Sequence, residues 1–213
     1  MNLSRRSFLA AAHGAALFYA SASLRPLAAA SANAGLPLRP DPEGLLDLPE
    51  GFSYRLVARS GEAMSDGFVR PGRPDGMACF PVRGDPTKCI LLRNHENFPT
   101  TEGGSPFGEG DALLSRLDPA LLYDRKEDGR PFTGGVTKSV YDLASGRLER
   151  DFLALAGTTG NCAGGATPWG SWLTCEETVA LADEVRAKDH GWVFEVPAGA
   201  AKPVDPVPLE ALG

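Results

Sequence analysis

No stretch of 18 or more apolar residues occurs in the 213-residue chain, so nothing in it is long enough to remain in a membrane as a helix. Basic charge is scarce as well. The 21 Lys and Arg face 27 Asp and Glu, a formal net charge of −6, which excludes a strongly basic binder of nucleic acid. Long uninterrupted helices are excluded by 25 glycines and 18 prolines, about a fifth of the residues. The chain has no Gly-x-x-x-x-Gly-Lys phosphate loop, no Gly-x-Ser-x-Gly elbow and no His-Glu-x-x-His helix, which removes ATPase, serine-esterase and zinc-protease chemistry. Four cysteines at positions 79, 89, 162 and 175 do not have zinc-finger spacing. What is present is 43% apolar residues, enough for a packed core and too many for a disordered chain. The composition predicts a turn-rich, all-β protein.

The first 34 residues contain Arg5, Arg6 and Arg25 but no acid, followed by an Ala-rich run diluted by His13 and Gly14. Ser4-Arg5-Arg6-Ser7-Phe8-Leu9 resembles the twin-arginine export signal, and small-x-small cleavage sites lie between Ala28 and Ala34. Residues 1–34 are therefore read as a signal peptide, the export machinery as a partner, and the destination as the periplasm or the medium. Without the three leader arginines, 18 basic residues face 27 acids, about −9.

Residues 35–50 read as a linker rich in Pro, Leu and Asp, and residues 51–213 as the domain. Strands are expected at Phe52–Arg59, Met77–Val82, Cys89–Asn94, Val136–Leu143, Leu148–Leu155, Ser171–Cys175 and Trp192–Val196, none longer than eight residues. Helix is expected only at Asp111–Tyr123, where leucines recur, and at Val179–Lys188. Leu92-Arg93-Asn94-His95-Glu96-Asn97 can be laid over Leu173-Thr174-Cys175-Glu176-Glu177-Thr178, each a strand ending in acid, about 80 residues apart. Such repetition points to a β-propeller, in which acid-terminated strands converge on an axial channel; an open sandwich is the alternative.

The densest constellation runs from Gly157 to Glu177 and holds five glycines, two thiols and two adjacent carboxylates. Gly164 and Gly165 allow close backbone approach, as a loop around an ion requires, with Cys162 beside them as a candidate ligand. Asn161-Cys162-Ala163, Thr167-Pro168-Trp169-Gly170 and Leu173-Thr174-Cys175-Glu176-Glu177 together resemble the PhoX-type secreted alkaline phosphatases and their shorter relatives. Asp75-Gly76-Met77 and Arg93-Asn94-His95-Glu96-Asn97 fit the same pattern.

The resemblance implies a β-propeller holding ferric iron (Fe3+) and calcium and hydrolysing phosphate esters, with a phosphorylated small molecule as substrate. It implies Cys162 as the iron thiolate and Glu96, Glu176 and Glu177 as carboxylate ligands. The chemistry agrees, since thiolate suits iron and carboxylate suits calcium. Residues i and i+2 share a strand face, so Glu176 and Glu177 should point apart; Glu177 ranks first because the overlay matches it to Glu96. Asn94, His95, Asp75 and Asn161 are candidates for a supporting shell, His95 being read as a structural histidine and Asp75 as either a calcium ligand or a turn former. His190 reads as a turn residue, Cys175 as core, and Trp169 and Trp172 as packing between blades. Cys79 and Cys89 flank a turn where hairpin register decides whether they pair. A propeller of this family would continue beyond Gly213, so the chain is read as a fragment or truncated product, inactive alone, with part of the metal site. Two other readings stay open: a non-catalytic calcium-stabilised envelope propeller that binds a partner, and a calcium-dependent propeller hydrolase of lactones.

Overall fold

The computed structural model describes residues 36–99 and 104–212. The expected signal peptide, Arg5 and Arg6 included, lies outside them. Contacts divide the chain between Arg55 and Leu56. In the first unit, strands β1 (Leu38–Arg39) and β2 (Leu48–Pro49) pair as a two-residue antiparallel ribbon. Asp41 organises the turn between them, its carboxylate accepting from the backbone N–H groups of Glu43, Leu45 and Leu46 and from the Tyr54 hydroxyl. Those bonds, the Tyr54 hydroxyl first, hold its pKa down at about 2.

The second unit is all-β. Strands β3 (Pro74–Val82), β4 (Asp85–His95), β5 (Gly134–Asp142) and β6 (Arg147–Thr158) form an antiparallel meander in that order. Strands β7 (Asn161–Ala166), β8 (Ser171–Glu176) and β9 (Val193–Pro197) form a second meander. These are two small, turn-linked sheets of the kind a propeller stacks as blades. Alternation along the strands sends one face of each into a shared core: Phe80, Ile90, Leu92, Val136, Phe152 and Leu155 from the first sheet meet Trp172, Phe194 and Val196 from the second. Each such side chain contributes about 1.5–3 kcal/mol on burial, so this layer dominates the fold. Lys138 crosses the same layer. Its ammonium donates to the Ala198 and Ala200 carbonyls after β9, and burial, then Arg150, lowers its pKa.

Several expectations are corrected. Residues 52–59 form no strand; Phe52, Leu56 and Val57 are exposed despite their alternation. The leucines of 111–123 make no α-helix but sit around 3-10 turns at Glu109–Asp111, Leu114–Arg116 and Pro119–Leu121, with Leu117 and Leu122 buried in a second cluster beside β6. Pro119 cannot donate the bond that would continue a helix. Residues 179–188 carry isolated bridges, Ala180 to His190 and Lys126 to Arg186, in place of the expected helix. Strands β4 and β6 run to 11 and 12 residues, beyond the expected eight, and β7 occupies what read as a loop. Trp172 packs between the sheets as expected. Trp169 is 71% exposed and donates to Glu195.

Candidate metal centre

The ladders contain two irregularities that build the site. Register slips in β3 between Pro74 and Met77, and in β7 between Asn161 and Gly164. A bulge inserts an unpaired residue and re-aims side chains, and here it does so for Asp75 and Cys162. Strands β3 and β7 pack on each other across the two sheets. Gly76 makes that approach possible: a Cβ there would lie 2.6 Å from the Cys162 carbonyl oxygen. Asn94, buried on β4, secures the β7 bulge. Its Nδ2 donates to the carbonyls of Cys162 and Ala163 at 2.9 and 3.0 Å, and its Oδ1 accepts from Trp172 Nε1 at 2.8 Å, which fixes the orientation of the amide.

Glu96 stands one residue beyond β4. One ligating atom each from Asp75, Glu96 and Cys162 lie within 4.8 Å of one another. Glu177, one residue beyond β8, stands close enough for its carboxylate to act on both the Glu96 carboxyl and the Cys162 thiol. The backbone N–H of Glu177 donates to the Gly160 carbonyl, which ties it to the turn leading into Cys162.

Electrostatically this group is crowded with charge of one sign. Burial first, then Asp75, Glu177 and Glu96, push the Cys162 thiol up to about 11. Burial and Glu177 likewise raise the pKa of Glu96, partly opposed by Arg73. A bare set of three carboxylates and a thiol resists ionising fully, and a bound cation reverses that preference. A soft thiol beside hard carboxylates is a donor set able to hold a metal ion.

Glu176 is not brought to this group. It is buried, and its carboxylate accepts from Thr159 N–H (2.9 Å), His190 Nδ1 (2.7 Å), Gly191 N–H (2.7 Å) and Trp192 N–H (3.1 Å). With its oxygens so engaged it holds β8, the β6–β7 turn and the start of β9 together, and the strand rule explains why its neighbour Glu177 faces the other way.

His190, expected in a turn, is 2% exposed, and its Nε2 lies 3.2 Å from Asp124 Oδ2. Ionised carboxylates only accept, so this pair of partners favours a ring that donates through both nitrogens, the imidazolium form. Burial opposes that charge, but Glu176 and then Asp124 outweigh it and raise the pKa. No local pattern marked this triad, because its members are 14 to 66 residues apart.

The remaining expected residues have structural partners. His95 is buried, with Nδ1 2.9 Å from the Gly72 carbonyl and Nε2 2.9 Å from Thr137 Oγ1; burial lowers its pKa to about 4. Asn161 accepts from Thr158 Oγ1 and donates to Thr174 Oγ1, pinning the start of β7. Cys79 pairs across the ladder with Leu91, and Cys89 with Pro81, so the two thiols are diagonal neighbours, and both are free. Cys175 is half-buried, and burial raises its pKa.

No curated protein and no solved structure matches the chain. The profile of the family described as alkaline phosphatase PhoX matches it over residues 34–106 and 139–213, which include Asp75, Glu96, Cys162 and Glu177.

Proposed function

The chain belongs to the alkaline phosphatase PhoX family, and from that premise we propose that Asp75, Glu96, Cys162 and Glu177 hold iron and calcium in a centre that hydrolyses phosphate esters. The observation that carries this reading is the meeting of ligating atoms from Asp75, Glu96 and Cys162 within 4.8 Å, from segments that are distant in sequence. Cys162 supplies the thiolate to iron, and Glu96, Glu177 and Asp75 supply oxygen donors. Asn94 and Asn161 orient the bulge that carries the thiolate, and Glu176 fixes the turn beside it. Left to themselves, the three carboxylates would repel a phosphate dianion, so the protein's part is to concentrate negative charge where cations then reverse the sign. When bound, those cations supply Lewis-acid polarisation of the phosphoryl group and activate the attacking water. The leader carries the chain through the twin-arginine pathway, so the work is done in the periplasm or outside the cell.

The test measures the metal content of the exported protein and its turnover of a chromogenic phosphate ester, in wild type and in the Glu177→Gln and Glu176→Gln variants. Wild type should hold both iron and calcium. Glu177→Gln should lose metal by about 10-fold or more, while Glu176→Gln should retain metal in its folded fraction and lose stability. Calcium without iron and without turnover would instead support the non-catalytic envelope propeller. Turnover of lactones but not phosphates would support the third reading.

A further inference from the structure

Arg73 and Asp111 are the non-glycine residues with a left-handed backbone among the described residues, Arg73 at φ 47°. For a long side chain that conformation is strained, and such strain concentrates at functional positions. Arg73 is held there by reciprocal bonds. Glu96 N–H donates to its carbonyl at 2.9 Å, and its own Nε donates to the Glu96 carbonyl at 2.8 Å. Nη2 lies 3.3 Å from Glu96 Oε2. The guanidinium is 43% exposed, leans on the Phe98 ring at 5.9 Å, and leaves Nη1 without a hydrogen bond among the described residues. An ion pair whose guanidinium is this exposed adds little stability, which does no more than offset the strain. Stability therefore does not account for the residue.

Its position does. Arg73 is a cation paired to Glu96 at the edge of a group whose other printed charges, Asp75 and Glu177, are acidic. We propose that Arg73 is the phosphoryl-binding residue of the site, pairing Glu96 while the acids are uncompensated and donating to the non-bridging oxygens of a terminal phosphate once cations occupy them. This rests on the metal-phosphatase reading and refines it: a fork of N–H donors beside the acids selects a dianionic phosphate monoester over an uncharged ester. Because Arg73 and a cation compete for the same Glu96 oxygen, its loss has effects of opposite sign on cation and on anion.

The test uses the whole chain, with calcium alone as one probe and inorganic phosphate on the iron- and calcium-loaded protein as the other. Arg73→Gly removes the guanidinium and suits the backbone; Arg73→Lys keeps the charge without the fork. Arg73→Gly should bind calcium severalfold more tightly, bind phosphate about 10-fold more weakly and melt no lower than wild type, with Arg73→Lys between. A loaded Arg73→Gly protein that binds phosphate as well as wild type overturns the assignment and leaves the metal site standing. Wild type that takes up no metal removes the underlying reading, and the assignment with it.

Discussion

At the scale of single residues, the site depends on side chains whose work is to aim others. Asn94 touches no substrate and offers no charge, yet its amide holds the two carbonyls of the bulge that carries Cys162. Replacing partners of this kind weakens metal binding about 10–100-fold in other sites. Asn94→Ala should therefore lower metal affinity in that range while the protein still folds, at about 1–3 kcal/mol for the Trp172 N–H and the carbonyls left unpaired. Calorimetric metal titration of the folded variant checks this, and unchanged affinity would reduce Asn94 to a core residue. Cys162, Glu96 and Glu177 stood out in the sequence because an acid ending a strand, or a thiol among glycines, is a local pattern. Asp75 stood out only halfway. Its Gly76 neighbour marked a turn, whereas the structure makes it part of a bulge within β3, and register slips leave no local signature.

At the scale of elements, β8 presents its two terminal acids to opposite tasks. Glu177 faces the candidate centre, and Glu176 locks the strand to β9 through His190. This lock has a pH dependence. In the folded protein the His190 pKa lies above its ordinary value near 6.5, so the folded state binds the proton more strongly than the unfolded one. The stabilisation is complete below pH 6.5 and is lost as pH rises through the raised value. Thermal melts from pH 6 to 9 should show wild type losing stability across that window, while His190→Gln, destabilised throughout by about 3–5 kcal/mol because two buried acids lose their cation, should give a flatter profile. Parallel profiles would mean that the ring is not charged.

The same elements show why some assignments failed. Residues 52–59 alternate like a strand but form none, and strand formation is decided by pairing as much as by pattern. Leucines at helical spacing in 111–123 satisfied their burial through 3-10 turns, because Gly110 and Pro119 interrupt the ladder that a helix needs. Strand β7 was hidden by Gly164, whose missing Cβ lets the Leu173 carbonyl and the Trp172 ring close in; a Cβ would sit 2.2 Å from that oxygen. By contrast, β4, β5, β6 and β8 were legible because each is an apolar, strand-prone run bounded by turn residues, whether one face is buried or, as over much of β5 and β6, both are.

At the scale of the whole molecule, two meanders share one core, and the loose ends of their strands deliver acids to a common point. A chain carrying a net −6 has gathered like charges there against their mutual repulsion, which is the arrangement of a protein that expects cations. In the proposed centre Cys162 joins carboxylates from distant segments around iron. Iron-edge X-ray absorption of the exported protein tests that claim directly, since a sulfur neighbour of iron can come from Cys162 alone among the gathered side chains. Wild type should show a sulfur scatterer that disappears in Cys162→Ser, with the fold intact. An iron shell of oxygen and nitrogen only, unchanged by that substitution, would contradict it.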